Sequence, residues 1–355
     1  MKIYLGFIIA SSKMFFRRKS SIFWSLFFPV VTMLVFGNAN ILGFSAPNVG
    51  IVNYSQNGNS EIVEKLNAAT SIKIISMSSP DEAISALEKG SIASFIEIPQ
   101  NFSPQVSKIV ITTRKGDESE LELVQNLIYT ILNDKAELGS GDLIELKIAD
   151  INYQGYRGFI VPGIAAMAIM QSGIFSVVFT LLSYKNQGVM RRLQATPISP
   201  SHFIVGHLVS RLIIIVTQTI LLLSMGVLIL GVSIGQGNIL ALINILFLSI
   251  LGGILFLSIG LAISSLAPSE DSAPALANLV TFPMLFLSGV FFPIDFLPKF
   301  VVYFSNLLPL THLAEGIRLS ALYGQNTIST LPQVGITFLW LIIAFTICAK
   351  TFKWE

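Results

Sequence analysis

Long uncharged segments alternate with short polar segments along most of the chain. A helix needs about 20 consecutive apolar residues to cross the hydrocarbon core of a bilayer. A charge at the centre of such a helix costs about 2.5–3.5 kcal/mol, so long windows without charge indicate spans. The pattern therefore predicts six transmembrane helices, at residues 22–44, 159–183, 203–230, 239–266, 274–292 and 331–349.

Residues 46–156 follow a different pattern, in which short apolar runs are separated by polar and amphipathic stretches. Short apolar runs predict strands at 49–53, 72–77, 94–98 and 109–113. Helices are predicted at 60–68, at 80–89 with a proline near its start, and along most of 117–150, where a break at the Gly-Ser-Gly of 139–141 is left open. We therefore expect a compact α+β domain of about 100 residues in this part of the chain.

The first 20 residues mix aromatic and aliphatic side chains with cations, which is typical of an amphipathic helix lying on a membrane surface. A frayed cytoplasmic tail is the alternative, but it would leave the aromatic side chains in water. The cations followed by an apolar stretch also resemble a secretory signal. The uncharged stretch 21–46 is much longer than the signal core of about 7–15 residues, so we expect a retained anchor at 21–45.

Composition separates two regions with different solvents. Only 12% of the 355 residues are charged, whereas a soluble domain has about 25%, which indicates an integral membrane protein. Of the 20 acidic residues, 15 lie in 46–156 together with eight lysines and arginines, so this region has a net charge of −7. Residues 157–355 contain the other five predicted spans.

The distribution of lysine and arginine predicts the orientation of the spans. With the N-terminus in the cytoplasm, 11 of the 14 cations outside 46–156 lie on the cytoplasmic side; the exceptions are Arg157, Lys299 and Arg318. We therefore expect a multi-pass protein of the inner or plasma membrane with both termini in the cytoplasm and 46–156 outside. The predicted fold class is membrane all-α, with six transmembrane helices, an N-terminal interfacial helix and an inserted extracellular α+β domain.

Residues 293–322, before the last predicted span, are apolar but interrupted by Pro293, Pro298 and Pro309. The pieces are too short to span, which favours re-entrant or interfacial segments. Glu315 and Arg318 are spaced to pair on one helix face, so a local ion pair and a gating role are both open. For the large apolar side chains between Phe282 and Phe292, two interpretations are open: they line a transport pathway, or they pack against neighbouring helices. The candidate outer gate or pathway residues are Phe286, Phe291, Phe292, His312, Glu315 and Arg318.

Motifs for catalysis and metal binding are absent from the sequence. It has no G-x-x-x-x-G-K-[ST], G-x-S-x-G, H-E-x-x-H or C-x-x-C motif. His202 and His207 are five residues apart, so they do not share a helix face as a metal-binding i, i+4 pair would. The single cysteine, Cys348, excludes an intrachain disulfide and a cysteine metal cluster. We expect no catalytic residue, metal site or cofactor in this chain, so any ATPase would be a separate chain.

A short polar segment, 184–202, separates the second and third predicted spans. Its sequence RRLQATPIS resembles the coupling-helix loop of ABC-2 type transporter permeases, in which Pro197 would end a short helix sharply. The order of other motifs is similar to the family over essentially the whole chain. These motifs are PGI at 162–164, FLSGVFFP at 286–293 and LPLTHLAEGIR at 308–318. The stretches 49–53 and 93–102 resemble the extracellular domain of the drug-efflux and sodium-export branches.

The resemblance implies the permease subunit of an ATP-binding-cassette exporter that moves a lipophilic small molecule, drug or lipid outward. ATP and Mg²⁺ would be bound by two copies of a separate ATP-binding subunit, beside a second permease copy or a homologous permease and membrane lipids, in a prokaryotic cell. In the family the loop docks on the ATPase and transmits its motion. The residues thereby assigned to ATPase coupling are Arg191, Arg192, Leu193, Gln194, Ala195, Thr196 and Pro197, with Arg17 and Arg18 on the interfacial helix.

Two alternatives remain open from the sequence. A secondary transporter needs ionisable side chains within its spans for ion coupling, and the predicted spans contain almost none. A non-transporting sensor or assembly protein would use 46–156 to bind a ligand or partner. Nucleic-acid binding is not expected, because the cations form no patch beyond ordinary cytoplasmic anchors.

One departure from the family is Lys-Asn-Gln at 185–187, where members often carry acidic residues.

Overall fold

The chain divides into two compact units in the computed structural model. The first comprises Met1–Ala39 and Tyr156–Glu355, and the second, inserted between them in sequence, is Asn40–Gly155. The structure describes residues 2–17, 23–38, 48–54, 63–66, 72–88, 91–99, 108–114, 118–133, 144–149, 154–188, 200–267, 269, 272–294 and 297–351.

The first unit is built from helices and the second from a sheet with two helices. In chain order the elements are α1 (Lys2–Arg17), a π-helical turn (Phe23–Phe27) that leads into α2 (Phe28–Asn38), β1 (Asn48–Asn53), β2 (Lys73–Met77), α3 (Pro80–Glu88), β3 (Ser94–Ile98), β4 (Ile109–Arg114), α4 (Glu118–Asn133), β5 (Ile144–Ala149), α5 (Gly155–Asn186), α6 (Pro200–Leu230), a 3₁₀ turn (Gly235–Gly237), α7 (Ile239–Leu266), α8 (Ser272–Leu287), α9 (Lys299–Ser305), α10 (Pro309–Tyr323) and α11 (Leu331–Thr351).

Four helices of the first unit are long and apolar enough to cross a membrane. They are Gly155–Tyr184 of α5, Val205–Leu230 of α6, and the whole of α7 and α11. They correspond to the second, third, fourth and sixth predicted spans, which are confirmed as long apolar helices. The helix predicted at the N-terminus is also present as α1, and its position on a membrane surface stays a prediction.

The first and fifth predicted spans are shorter in the structure. The apolar helical stretches there are Ser25–Gly37 and Ser272–Leu287. The predicted end of the fifth span at residue 292 is wrong, because α8 stops at Leu287 and Gly289 then turns the chain with a φ of 68°. Membrane crossing by α2 and α8 stays a prediction.

α5 lies at the centre of the first unit and approaches α7 closely. Ile160 and Ile174 of α5 are fully buried in the hydrophobic core. A Cβ at Gly173 would lie 2.6 Å from the Cβ of Phe256, and a Cβ at Gly260 would lie 2.8 Å from the carbonyl oxygen of Ile174. The two helices pack at this distance because both positions lack a side chain, as is common for helix contacts in membranes.

A buried polar contact joins α7 to the last two helices. The amide nitrogen Nδ2 of Asn244 donates to Ser320 Oγ of α10 at 2.7 Å and to Thr330 Oγ1, just before α11, at 2.8 Å. α7 packs along both of these helices. In an apolar surrounding such side-chain bonds replace the partners that water would offer, so they fix which faces of the helices meet.

Residues 293–322 form two short helices, as the prolines predicted. α9 has 7 residues and α10 has 15, so both are too short to span. Pro298 immediately precedes α9 and Pro309 is the first residue of α10, where the missing N–H of proline breaks no helical hydrogen bond. α10 ends at Gly324 in the left-handed conformation. The depth of these helices in a membrane stays a prediction.

The second unit contains a five-stranded sheet with the strand order β2-β1-β3-β4-β5. Neighbouring strands are parallel except for β3 and β4, which are antiparallel. The first four strands lie where short apolar runs predicted them. The central strand β1 buries side chains on both faces, with Ile51 in one hydrophobic cluster and Val52 in another. Such two-sided burial explains why β1 reads as a continuous apolar run.

The helix predicted along 117–150 is wrong in its second part. After α4, the stretch Ile144–Ala149 forms β5, which pairs in parallel with β4 from Ile144 opposite Ile109. Its sequence, Ile-Glu-Leu-Lys-Ile, alternates apolar and charged residues with the two-residue period of a strand. Of the helix predicted at 60–68, the described residues 63–66 are helical.

Candidate functional site

The first unit contains a cavity of about 680 Å³. Residues of α1, the π-helical turn, α2, α5, α6 and α8 line it. Small-molecule sites commonly have volumes of about 300–1,000 Å³, so the cavity is large enough for such a ligand. We name it the α5–α6 cavity, because these two helices contribute most of its described lining residues.

A buried arginine of α6 lies in the wall of the α5–α6 cavity. Arg211 is only 9% exposed, and its Nη2 donates to Thr180 Oγ1 of α5 at 3.1 Å. Its Nε donates to Nε2 of the buried His207, one helical turn earlier, at 3.4 Å. These contacts matter because a guanidinium away from water is costly without hydrogen-bond partners. The contact with Thr180 connects the last turns of α5 to the first part of α6.

A polar network also joins α5, α6 and the π-helical turn. Ser172 donates from Oγ to Oε1 of Gln218 at 2.6 Å. Gln218, which is 3% exposed, donates from Nε2 to the backbone carbonyl oxygen of Ser25. All three residues line the α5–α6 cavity. The network therefore holds three walls of the cavity together with side-chain hydrogen bonds in an otherwise apolar interior.

The N-terminal helix α1 lies against the same two helices. Ser12 Oγ is 2.9 Å from Ser210 Oγ of α6, and Tyr184 of α5 donates from its hydroxyl to Met14 Sδ at 3.8 Å. Ser11 and Met14 of α1 line the cavity. α1 is thus part of the cavity wall as well as a candidate membrane-surface helix.

Phenylalanine side chains supply much of the apolar wall. Phe28, Phe175, Phe179 and Phe282 line the cavity, and the rings of Phe175 and Phe179 stack with centroids 5.9 Å apart. Phe282 belongs to the group of large side chains for which the sequence left a pathway and plain packing open. Phe282 lines the cavity, and its role in a transport pathway stays a prediction.

A second arginine, Arg318 of α10, joins three segments elsewhere in the first unit. It is 8% exposed, and its Nη2 donates to the carbonyl oxygen of Gly289 at 2.9 Å. Its Nε donates to the carbonyl oxygen of Phe159 at 3.4 Å, and its guanidinium carbon lies 3.7 Å from the centre of the Phe159 ring. Nη1 donates to Glu315 Oε2 at 3.1 Å. We call Arg318 and these three partners the Arg318 cluster.

The sequence of the chain matches the family model described as "ABC-2 family transporter protein" over residues 19–350. This match covers nearly the whole chain. The chain belongs to the ABC-2 family. ABC-2 permeases are membrane-embedded transport proteins that work with ATP-binding subunits, generally as a permease pair.

Individual relatives agree with this assignment. The chain is 26% identical to Nodulation protein J of Rhizobium leguminosarum bv. viciae over 211 residues, which are 59% of this chain and 78% of that protein. It is 25% identical to the inner membrane transport permease YadH of Escherichia coli K12 over 214 residues, 59% of this chain and 79% of that protein. The ABC transporter G family member 20 of Dictyostelium discoideum is 30% identical over 188 residues, which span only 25% of its length.

The predicted ATPase-coupling residues of this ABC-2 permease lie in the segment between α5 and α6. Arg191, Arg192, Leu193, Gln194, Ala195, Thr196 and Pro197 lie outside the described residues, as does Arg18. Arg17 is the last residue of α1 and is exposed. The coupling role of all nine residues stays a prediction. What the structure adds is that the two helices flanking the segment carry the contact between Thr180 and Arg211.

The predicted gate residues of the permease occupy different environments. Glu315 and Arg318 form the local ion pair that their spacing predicted. Phe291 is buried, and the centre of its ring lies 4.9 Å from that of Phe36. This environment is the one expected for a side chain that packs in the core. His312 Nε2 is 2.8 Å from the carbonyl oxygen of Asn306. A gating role for these residues, and for the exposed Phe286 and Phe292, stays a prediction.

Reasoning from the sequence did not single out the residues that build the α5–α6 cavity. Arg211 is one of the 11 cations that the orientation places on the cytoplasmic side, and Gln218 lies within the third predicted span. Ser172, Ser176 and Thr180 of α5 lie within the second predicted span. The available signal was the clustering of polar residues at spacings of four on α5, since positions 172, 176 and 180 share one helix face.

Proposed function

We propose that this chain is the membrane subunit of an ATP-driven exporter for a lipophilic small molecule, a drug-like compound or a lipid. Two copies of a separate ATP-binding subunit would hold ATP and Mg²⁺, and an identical or homologous second permease would complete the complex. Family membership supports the transport role. The observation that carries the proposal is the α5–α6 cavity, because its wall is built from the two helices on either side of segment 189–199.

The chemistry of the cavity wall supports a largely apolar substrate. Four phenylalanines and several aliphatic side chains face a space of about 680 Å³, with a small number of hydroxyl, amide and guanidinium groups among them. Ligand sites typically combine such an apolar surface with a few polar groups that set orientation. Burial of apolar surface would supply affinity, at about 25 cal/mol for each Å² removed from water.

The contact between α5 and α6 supports a mechanical route from the ATPase to the cavity. Thr180 lies two turns before the end of α5, and Arg211 lies three turns after the start of α6. A displacement of segment 189–199 by the ATP-binding subunit would therefore move both sides of the Thr180–Arg211 contact. Only contacts that differ between two states can shift the equilibrium between them. In this scheme ATP drives a change of cavity shape, with no covalent chemistry on the permease.

The proposed orientation places both chain termini and segment 189–199 in the cytoplasm, and the second unit outside. The distribution of lysine and arginine supports it. The Escherichia coli relative is named as an inner membrane protein, which supports the same membrane for this chain.

Purification of the tagged chain from its native membrane in a mild detergent tests the proposal directly. We expect mass spectrometry to find a stoichiometric partner with a phosphate-binding loop, in a complex with two permease subunits. A chain that comes out alone, or with a partner that is no ATPase even after cross-linking, would favour a non-transporting sensor or assembly protein. The second unit would then become the place to search for a ligand.

Substitutions in segment 189–199 should uncouple ATP hydrolysis from substrate transport. In Arg191→Glu with Leu193→Asp, we expect ATP hydrolysis by the complex to lose its stimulation by lipophilic compounds, because the segment loses a cation and an apolar anchor. Elution of the variant as a folded complex would be checked by size-exclusion chromatography. Lys299→Glu, an exposed charge reversal on α9, is the control and should keep wild-type stimulation. Wild-type stimulation in the double variant would contradict the docking role.

A further inference from the structure

The α5–α6 cavity has a cation in its wall. Among the described residues that line it, Arg211 is the charged one, and aspartate and glutamate are absent from that set. The other polar lining groups are hydroxyls and amides, such as those of Ser176 and Asn278. The described wall therefore offers a ligand one positive charge and neutral hydrogen-bonding groups.

A buried hydroxyl of α5 provides a second indication of a polar ligand. Ser176 lines the cavity, and its Oγ is buried without a hydrogen-bond partner among the residues that the structure describes. Ser176 lies one helical turn before Thr180, whose hydroxyl accepts from Arg211. A buried hydroxyl without a partner is unfavourable, so a ligand atom bonded to it would stabilise the site. Ser176 and the Thr180–Arg211 pair thus place polar groups on adjacent helical turns of the cavity wall.

The cavity extends from Arg211 along α6. Gln218 lies seven residues after Arg211 and also lines the cavity, which corresponds to about 10 Å along the helix axis. Between them α6 presents Ile214 and Ile215, and the phenylalanines of α2, α5 and α8 complete the wall. The space thus suits a molecule with a polar head and an apolar body.

We infer that the α5–α6 cavity binds an anionic amphiphile, with its phosphate, sulfate or carboxylate head against Arg211 and Ser176 and its apolar part against the phenylalanines. This inference rests on the proposed export function and names the substrate class of that site. Arginine is well suited to phosphate and carboxylate groups, and charge-assisted hydrogen bonds strengthen in a site shielded from water. A cationic amphiphile would place a like charge beside Arg211 and is disfavoured.

Binding of matched amphiphiles to the purified full chain tests the inference. The chain would be placed in nanodiscs of zwitterionic lipid, and radiolabelled dodecyl phosphate would be displaced by unlabelled competitors with the same alkyl chain. We expect dodecyl phosphate to bind at least about tenfold more tightly than dodecanol or dodecyltrimethylammonium, because a hydrogen bond to a charged group contributes that much. Inorganic phosphate, which lacks an apolar part, should displace the label at least about a hundredfold less well.

Variants of Arg211 and Thr180 locate the site. Arg211→Gln should weaken dodecyl phosphate binding about tenfold and leave dodecanol binding within about twofold, whereas Arg211→Lys should keep most of the preference. If Arg211→Gln does not fold, Thr180→Asp decides, because it places a carboxylate beside Arg211 and should also remove the preference for an anionic head. Arg157→Gln is the matched control, since Arg157 donates to the carbonyl oxygen of Gly37 and is not among the cavity-lining residues.

Three results would overturn the inference. Equal affinity for all head groups would show that the cavity recognises only apolar surface, and efficient displacement by inorganic phosphate would show a site for a free anion. Unchanged head-group preference in both Arg211→Gln and Thr180→Asp would place the anion site elsewhere. None of these results affects co-purification with an ATP-binding subunit, so failure of this inference is distinguishable from failure of the proposed export function.

Discussion

Two arginines, Arg211 and Arg318, are buried in the first unit although arginine side chains are normally exposed. Their partners differ in kind. Arg318 donates to two backbone carbonyls and a carboxylate, which together fix three segments of the chain, whereas Arg211 donates to a hydroxyl and an imidazole in the wall of a cavity. We therefore expect Arg318 to contribute mainly to stability and Arg211 mainly to ligand binding.

Replacing Arg318 with methionine tests its structural role. We expect Arg318→Met to lower stability by about 1–3 kcal/mol, because the carbonyl oxygens of Gly289 and Phe159 lose a charged donor. The measurement is thermal unfolding of the purified permease in detergent. Lys299→Met, an exposed cation on α9, is the control and should stay within about 0.5 kcal/mol.

The opposite outcome for Arg318 would be equally informative. If Arg318→Met unfolds like the wild-type chain but changes the transport rate, the residue belongs to the gate that the sequence left open, and the structural role assigned to the Arg318 cluster is wrong.

The two arginines also show which side-chain partners the sequence can predict and which it cannot. The pair of Glu315 and Arg318 was predictable, because three residues on a helix bring side chains together. The contacts of Arg318 with Gly289 and Phe159 cross 29 and 159 residues of sequence, and the contact of Arg211 with Thr180 crosses 31. No spacing rule connects positions that far apart, so these partners required the tertiary structure.

At the scale of elements, α5 owes its central place to glycines at its contacts. A Cβ at Gly163 would lie 2.5 Å from the carbonyl oxygen of Val290, in the turn after α8. The same helix meets α7 at Gly173, near Phe256. Close approach of backbones replaces the hydrophobic effect as a source of stability where the surrounding solvent is lipid.

Two glycine-to-alanine substitutions should have opposite effects. Gly163→Ala should lower the unfolding temperature, because its methyl group has no room beside the rigid backbone of Val290. Gly335→Ala in α11 should raise stability by about 0.5–1 kcal/mol, because nothing lies within 4 Å of the added Cβ and alanine favours a helix. Thermal unfolding of both variants under identical conditions is the measurement. A stability gain in both would contradict the close contact at Gly163.

Element prediction succeeded where the pattern was long or regular. The four long helices and the first four strands followed from charge-free windows and short apolar runs. The end of α8 was missed because the residues through 292 remain apolar across the turn, so hydropathy alone does not register the conformation of Gly289. β5 differs from the prediction because only ten residues separate it from α4, so its six residues read as a continuation of that helix despite their alternating pattern.

At the scale of the whole molecule, the chain interrupts a helical unit with a sheet-containing one. The insertion lies between α2 and α5, and the acidic residues concentrate in it. A span on each side of the insertion would place it wholly on one face of the membrane. The cation distribution predicts that this face is the outside of the cell.

Cysteine labelling in intact cells tests this orientation. The single native cysteine allows a clean Cys348→Ser background. In that background a membrane-impermeant maleimide should label Glu122→Cys, on an exposed position of α4, in intact cells. It should label Gln187→Cys, exposed after α5, only once the cells are permeabilised. The reverse pattern would show that the topology is inverted. Labelling of both cysteines in intact cells would place positions 122 and 187 on the same side of the membrane, which contradicts a single crossing by α5 between them.

The contact between Thr180 and Arg211 has a thermodynamic consequence for the assembled transporter. An ATP-binding subunit gripping segment 189–199 and a ligand in the α5–α6 cavity would act on the same pair of helices. Linkage between two binding events is reciprocal, so the factor by which the subunit changes ligand affinity equals the factor by which the ligand changes subunit affinity. We therefore expect the substrate affinity of the permease alone to differ from that of the full complex. The ratio of the two affinities measures the coupling free energy between binding of the substrate and binding of the ATP-binding subunit.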